Sequence, residues 1–561
     1  MVTPENPRRG TRGSGRTYMR KGRLAALVAV PMAVAMLASA CGGGGSASGE
    51  DGIVTLDWGE PENPLVPGNT TEENGGFIID ALFTGLVEYR ASDLKVENAV
   101  AESITTTDNT NFTIKLKPGW TFHDGTPVKA KNFVDAWNYT AYGPNGFQGA
   151  SFFEQVDGYD VVHPKDPDGE AGPASPPTPP TKEMSGLKVV DDNTFTVKLK
   201  SPFTIFPVVL GYSAYKPLPD SFFADPKKFE DHPIGNGPFK FVDRTPNVEL
   251  NVATYENYAG ADKPQIKGAK FKVYEQLDGA YQDLVSGNLD FLRAIPVSAL
   301  VGDKWKQDLG ERAKEKPGLL TQNMGFPIYD ERFKNPLLRK AISMSIDRKT
   351  ITETVFAGGR DPADGFATPA VEGYVPNQCG EACEFNPEKA KQYLAQAGGF
   401  QGTLTVKTNG DGGHNEWSEA VAASIRQNLG INVVFTPVPT FGEFRQTANA
   451  FQFDGLFRTG WKADYPNLET FLTQLYRTGA SSNDYGYSNP AFDAALDRAN
   501  AAPTIEEANK GYAEAEKLLG QDLPIVPLWT QPVQYGFSER IAAGEVKAYR
   551  ELDLTTVRLN P

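Results

Sequence analysis

The sequence predicts an α/β protein, and three features carry that expectation. Residues 111–122, "NFTIKLKPGWTF", alternate Phe112, Ile114 and Leu116 with polar partners, the period of a half-buried strand, and 193–203, "NTFTVKLKSPF", nearly repeat it. Residues 335–358 place Leu338, Ala341, Ile342 and Ser345 at helical spacing with Gly358 after the last turn, so one amphipathic helix is expected there. Residues 402–438 read as strand, glycine-rich loop, helix through Val421, Ile425 and Leu429, Gly430 as the stop, and a second strand. That is a βαβ unit, hence a parallel α/β lobe in the C-terminal half, and ligands in such lobes gather at the carboxyl ends of the strands.

A chain of 561 residues exceeds one ordinary core, so two to four packed units are expected. The 56 Gly and 42 Pro point to many turns and long connections. The stretch 163–184, "HPKDPDGEAGPASPPTPPTKEM", cannot form a regular element and marks a surface loop near a domain boundary. Asp166 and Asp168 within it are separated by Pro167 and lack a suitably spaced Glu, so the loop reads as solvated rather than calcium-binding.

The first forty residues differ from the rest. Arg8, Arg9, Arg12, Arg16, Arg20, Lys21 and Arg23 form a basic head, and "LAALVAVPMAVAMLASA" (24–40) is an apolar run ending in small residues before Cys41. That pattern is an export signal with its cleavage site. As a retained membrane helix the run is short, and Pro31 interrupts it. "LASAC" resembles a bacterial lipobox, with Ala38 where that motif prefers Leu. The resemblance implies that Cys41 is lipid-modified and becomes the first mature residue, followed by the flexible tether "GGGGSASGEDG". Removing residues 1–40, with seven basic residues and one acid, takes the formal net charge from −15 to −21. So acidic a body disfavours nucleic-acid binding, which needs a basic face, and anionic lipid repels it while an acyl chain holds it. Beyond Cys41 only Cys379 and Cys383 remain, in "NQCGEACEF". Export to an oxidising compartment favours a local disulfide between them over a zinc site, which would need further ligands nearby.

Enzyme signatures fail on inspection. "GYSAY" (211–215) resembles a nucleophile elbow around Ser213, but Tyr215 stands where the sharp turn needs Gly. "GNGPFK" (235–240) begins like a dinucleotide loop, yet Pro238 follows the second Gly and a strand continues from it, so no helix N-terminus faces a phosphate. His123, His163, His232 and His414 lie far apart and form no helical ligand pair, so neither a metal nor an acid/base centre is expected on them.

"PGWTFHDGTPVKAKNFVDAWNY" (118–139) resembles the signature of the family 5 solute-binding proteins of bacterial ABC importers. "IGNGPFKF" (234–241), "YENYAG" (255–260), "LVSGNLDF" (284–291), "RKAISMSIDRKTI" (339–351) and "NPEKAKQYLAQAG" (386–398) follow in that family's order. Within the family, "RTGWKADYPNLETFLTQLY" (458–476) and "YSNPAFDAALDRA" (487–499) are most similar to the oligopeptide binders. The resemblance covers essentially the whole mature chain. It implies a periplasmic-binding-protein-like two-lobed fold of class II, or cluster C, with an extra domain. The expected division is a signal peptide over 1–40, a lipidated tether over 41–50, lobe I from 51–83, 187–320 and 530–561, an extra domain over 84–186, and lobe II over 321–529.

The resemblance also implies a site and partners. Asp464 occupies the place of the acid that pairs with a peptide's α-ammonium. Arg458 stands where the family serves the peptide carboxylate or its waters, Trp461 would wall a side-chain pocket, and Gly460, Ala463 and Tyr465 complete the ligand-facing set. From the residues alone other readings stay open: Asp464 could cap a helix beginning near Pro466, Arg458 could form a surface ion pair, and Trp461 could be core. His123, Asp124 and Gly125 read as a turn that stabilises the extra domain and carry no ligand role. The ligand-contacting loop near the N-terminus falls at "PGNTTEEN" (67–74). The tyrosine that oligopeptide binders place after the "AWNY" helix is missing here, where 143–153 offers Phe147, Phe152 and Phe153. The implied protein is a monomeric, lipid-anchored receptor on the extracytoplasmic face of the membrane. It takes a short peptide to an ABC permease and ATPase, without cofactor, metal or enzymatic activity. Other solutes of the same fold (a dipeptide, a glycan, a chelated metal) and an extracellular hydrolase are the alternatives.

Overall fold

The computed structural model describes residues 52–166, 175–410, 413–480 and 482–561. Cys41, the export signal, the tether and residues 167–174 of the proline-rich loop, Pro167 and Asp168 among them, lie outside the described residues.

The two near-repeated segments form neighbouring strands. Asn111–Leu116 buries Phe112, Ile114 and Leu116 and exposes the residues between them. It pairs antiparallel with Ala101–Thr106 on one edge and with Thr194–Lys198 on the other, where Phe112 faces Val197 and Ile114 faces Phe195. Leu187–Asp191 completes this four-stranded sheet. This sheet therefore holds strands from both sides of position 186, because the loop returns the chain to the sheet it left. Helix Ala130–Ala141 lays Phe133 and Trp137 against Phe195.

His123, just before helix Ala130–Ala141, bonds the "IGNGPFKF" segment. The Gly235 N–H donates to its Nδ1 at 3.1 Å, and its Nε2–H donates to the Gly237 carbonyl at 3.2 Å. Burial holds the imidazole down at about 4, so it stays neutral and keeps both bonds. A methyl group at Gly235 or Gly237 would meet the backbone of Leu82 and Phe83, which gives those glycines a packing role.

The largest sheet among the described residues is mixed and eleven-stranded, and two hairpins, Val87–Tyr89 with Val96–Asn98 and Ile541–Val546 with Leu552–Leu559, stand apart from it. Its order is Val433–Phe435, Leu404–Lys407, Leu456–Lys462, Ala313–Gly325, Ile525–Phe537, Phe291–Leu292, Ile53–Trp58, Gly268–Val273, Glu249–Thr254 and Phe239–Thr245, with Asp361–Pro362 paired aside on Ile525–Phe537. Leu404–Lys407, helix Asn415–Leu429 and Val433–Phe435 form the expected βαβ unit, its strands parallel and Gly430 closing the helix at φ 70°. Helix Asn415–Leu429 buries Val421, Ile425 and Leu429.

The single helix expected over 335–358 is instead two, Pro336–Met344 and Arg348–Val355. Asn335 caps the first, and the Asp347 side chain accepts from the Thr350 N–H to start the second, so a cap inside the apolar repeat overrides its periodicity. The buried Arg348 guanidinium spans the break, donating to the carbonyls of Pro527 and Ser343. Beside it Cys379 and Cys383 are bonded, their Cα atoms 5.8 Å apart.

Two strands of thirteen residues, Ala313–Gly325 and Ile525–Phe537, link the two halves of the large sheet. Their mutual register shifts between Lys316 and Leu320, around Pro317 and Gly318, and again between Gln322 and Asn323. Proline donates no ladder bond, so the pairing there is weaker than in a regular sheet.

Candidate ligand-binding site

Strand Leu456–Lys462 positions the segment that carries most of the expected site residues. It lies antiparallel to Ala313–Gly325, with Arg458 opposite Met324, Gly460 opposite Gln322 and Lys462 opposite Leu320. A side chain at Gly460 would place its Cβ 2.6 Å from the Thr321 carbonyl, so only glycine permits this approach. Strand alternation puts Arg458, Gly460 and Lys462 on one face and Thr459 and Trp461 on the other. Thr459 meets the buried Tyr485 hydroxyl at 2.9 Å, and the Trp461 Nε1–H donates to Thr470 Oγ1 at 3.4 Å.

After the strand the chain bends through Ala463 and Asp464 into helix Glu469–Tyr476. Asp464 does not cap that helix, whose N-cap is Leu468. Its Oδ2 accepts from the Thr470 hydroxyl at 3.3 Å, and among the described residues no cation lies within ion-pair distance of it. Burial is the main reason that the carboxyl is pushed up to about 7, with Glu469 adding to the rise and Thr470 and Lys462 opposing it. Tyr465 is buried and donates its hydroxyl to Glu469.

Arg458 is the opposite case. It is half-buried, its Nε has no partner, and no acid pairs with it among the described residues. Burial, and then the nearby Arg445, lower its pKa; Arg445 is itself bound to Asp484 at 2.6 Å.

Asp464 opens onto a cavity of about 150 Å³ built from distant parts of the chain. Thr70 to Glu73, Gly76 and Asp80 come from helix Glu73–Leu82 and the loop before it, Gly211 to Ser213 from the "GYSAY" segment, and Lys547, Tyr549 and Glu551 from the turn between strands Ile541–Val546 and Leu552–Leu559 and its edge. Tyr89 and Tyr549 both line it, and their rings stack at 6.2 Å. Tyr212 stacks on Phe152 at 4.0 Å, so a tyrosine does enter the site, though not from the segment after the "AWNY" helix.

Of the six expected residues, only Ala463 and Asp464 line this cavity; Arg458, Gly460, Trp461 and Tyr465 do not. Of the 67–74 stretch, Thr70 to Glu73 line the cavity. Lys462, Asp80, Tyr89, Gly211 to Ser213 and the three residues of the C-terminal turn were not anticipated. The period-two spacing of Lys547, Tyr549 and Glu551 is a signal that they share a face, but nothing local says what that face meets.

The cavity's other charges are largely mutually satisfied. Lys462 pairs with Glu73 at 3.5 Å, and Arg293 with Glu73 at 3.7 Å. Burial raises the Glu73 pKa, but Lys462, Arg550 and Arg293 outweigh it and hold the group at about 2. Asp80 contacts Lys216 and lies 3.7 Å from Lys547. Ser213 donates to the Thr70 carbonyl at 3.4 Å, and all three described ring contacts of His123, His163 and His232 lie with aromatic residues elsewhere. No three His, Cys, Asp or Glu side chains among the described residues converge to hold a metal ion.

Comparison with known proteins follows this geometry. The model of the bacterial extracellular solute-binding proteins, family 5 (middle region), matches residues 95–483. The chain is 28% identical over 464 residues to the periplasmic murein peptide-binding protein MppA of Escherichia coli K12, covering 81% of this chain and 82% of that one. It is 22% identical over 527 residues to the oligopeptide-binding protein OppA of Bacillus subtilis 168, covering 90% and 93%. Among solved structures, the Escherichia coli murein tripeptide-binding protein MppA matches with a TM-score of 0.74 at 25% identity, over 91% of this chain and 99% of that one. Haemophilus influenzae OppA in complex with RPPGFSPFR matches at 0.71 and 23% identity, over 91% and 99%, a likeness of fold.

Proposed function

This chain belongs to the bacterial extracellular solute-binding proteins of family 5, and on that premise we propose that it captures short peptides between two lobes and delivers them to an ABC permease. Relatives named for murein peptides and oligopeptides support the ligand class. The observation that carries the reading is a pair of uncompensated charges of opposite sign on one segment, the Asp464 carboxylate and the Arg458 guanidinium. Six residues of chain, extended to Lys462 and then bent, hold them at most about 20 Å apart, within the length of an extended peptide of a few residues. A buried charge without a partner costs several kcal/mol, so such groups persist where a ligand supplies the partner. The peptide's α-ammonium meets Asp464 through charge-assisted bonds, and its carboxylate or bound water meets Arg458.

The strand pairing supports closure about a hinge. The boundaries 320/321 and 529/530, expected between the lobes, fall opposite each other in the two long strands, where Thr321 pairs with Thr530. Bending at the irregular register beside them closes lobe II (321–529) on lobe I (51–83, 187–320 and 530–561), with main-chain hydrogen bonds and the two ligand termini providing affinity. The proposal extends to a monomer held at the extracytoplasmic face by lipid on Cys41, with Gly460, Trp461 and Tyr465 shaping the segment around Ala463 and Asp464. It is a receptor rather than an enzyme. Incubation with mixed short peptides tests this: intact peptides are retained, whereas cleavage products or indifference to every peptide would overturn the reading.

A further inference from the structure

Five carboxyls line the cavity, and three of them are engaged. Glu72 accepts from the Gly75 N–H at 2.8 Å and caps its helix. Glu73 is held by Lys462 and Arg293, and Asp80 by Lys216 and Lys547. The cavity's two lysines are thereby committed. Asp464 remains, and so does Glu551, which is 8% exposed and whose carboxylate has neither a hydrogen bond nor an ion pair among the described residues. The turn holds Glu551 in place: the Lys547 N–H donates to its carbonyl at 2.7 Å, the Arg550 N–H donates to the Lys547 carbonyl at 3.0 Å, and Arg550 takes φ 69°.

We infer that Glu551 determines specificity, receiving the cation of a basic side chain on the peptide's first residue while Asp464 receives the α-ammonium of that same residue. This rests on the peptide reading above and adds the chemical class of the ligand. Two buried or half-buried acids on one cavity, neither within ion-pair distance of a described cation, are matched by a residue with two cations, a lysine, ornithine or arginine at the peptide N-terminus. The cavity suits the stem as well as the charge. The stacked rings of Tyr89 and Tyr549 line it, offering apolar surface to methylenes and π-faces to a cation. Burial, and then Asp80, raise the Glu551 carboxyl above the usual range, and Lys547 and Lys462, each engaged with another acid, oppose the rise without reversing it.

The test is titration calorimetry with Lys-Ala-Ala and norleucine-Ala-Ala, which differ by the terminal ammonium, on the wild type and on Glu551→Gln. The wild type is expected to prefer the lysine peptide by about 10- to 100-fold, or about 1.4 to 2.8 kcal/mol. In Glu551→Gln that ratio falls to within about threefold, and a melting curve reports whether the variant is folded. Equal affinity of the wild type for both peptides overturns the inference and leaves the peptide reading standing. A preference that survives in folded Glu551→Gln overturns the role of Glu551. Failure of the wild type to bind either peptide, or a wider set of free tripeptides, overturns the peptide reading and this inference with it.

Discussion

The Thr470 hydroxyl donates to Asp464 Oδ2 at 3.3 Å, and no other described side chain bonds that carboxylate. Thr470→Val keeps the volume and removes the bond, so the acid becomes harder to ionise. Peptide affinity at pH 7 is expected to fall about three- to tenfold, on the order of 1 kcal/mol for one long charge-assisted bond. Calorimetry reads the change, and an unaltered Kd would show that the bond does not prepare the acid for its ligand.

Stability and binding depend on pH in opposite senses at Asp464. The folded carboxyl titrates near 7 against a usual value of 3.8, so between those limits the folded state binds the extra proton and ligand-free stability falls as pH rises. The penalty is absent below about pH 4 and complete above about pH 7. Asp464→Asn removes it, so the ligand-free variant should melt above the wild type at pH 8, by on the order of 1 to 2 kcal/mol after solvent screening, and by less at pH 5. A variant that melts lower at both pH values would make Asp464 a stabilising group.

Binding an ammonium needs the ionised acid. Peptide association near pH 6.5 is therefore expected to release a proton from Asp464, and affinity to weaken as pH falls below about 7. Calorimetry in two buffers of different ionisation enthalpy measures the release. Heats independent of the buffer would contradict it.

How much of this is legible before folding depends on the distance over which a residue acts. The βαβ unit and the paired strands Asn111–Leu116 and Thr194–Lys198 follow from periodicity, because each buries one face. The helix break at 345–347 does not, since the Asp347 cap competes with an apolar repeat that continues through it. Asp464 and Ala463 are readable from a local segment. Glu551 and Lys547 reach the same cavity through a turn more than eighty residues later, set there by strand pairing at the C-terminus.

The Cys379 to Cys383 bond closes a very short loop, which restricts the unfolded chain less than a long one would. By the chain-entropy scale its reduction should cost about 2 kcal/mol or less. Denaturation with and without reductant measures this, and a much larger loss would point to native packing that depends on the bond.

Lipid on Cys41 is expected from the small residues before it and the tether after it. Cys41→Ser should release the protein from membranes. Persistence in a salt-washed membrane fraction would contradict the anchor.

The most direct test of the peptide-receptor reading is a calorimetric cycle combining Asp464→Asn with N-acetylation of one bound tripeptide. Each change breaks the same buried charged pair, so each alone should cost about 3 to 5 kcal/mol, two to four orders of magnitude in affinity. The two losses should not add, and Asp464→Asn should distinguish free from acetylated peptide by no more than about threefold. Equal discrimination by wild type and Asp464→Asn, with both still binding, would contradict the assignment of Asp464 to the α-ammonium.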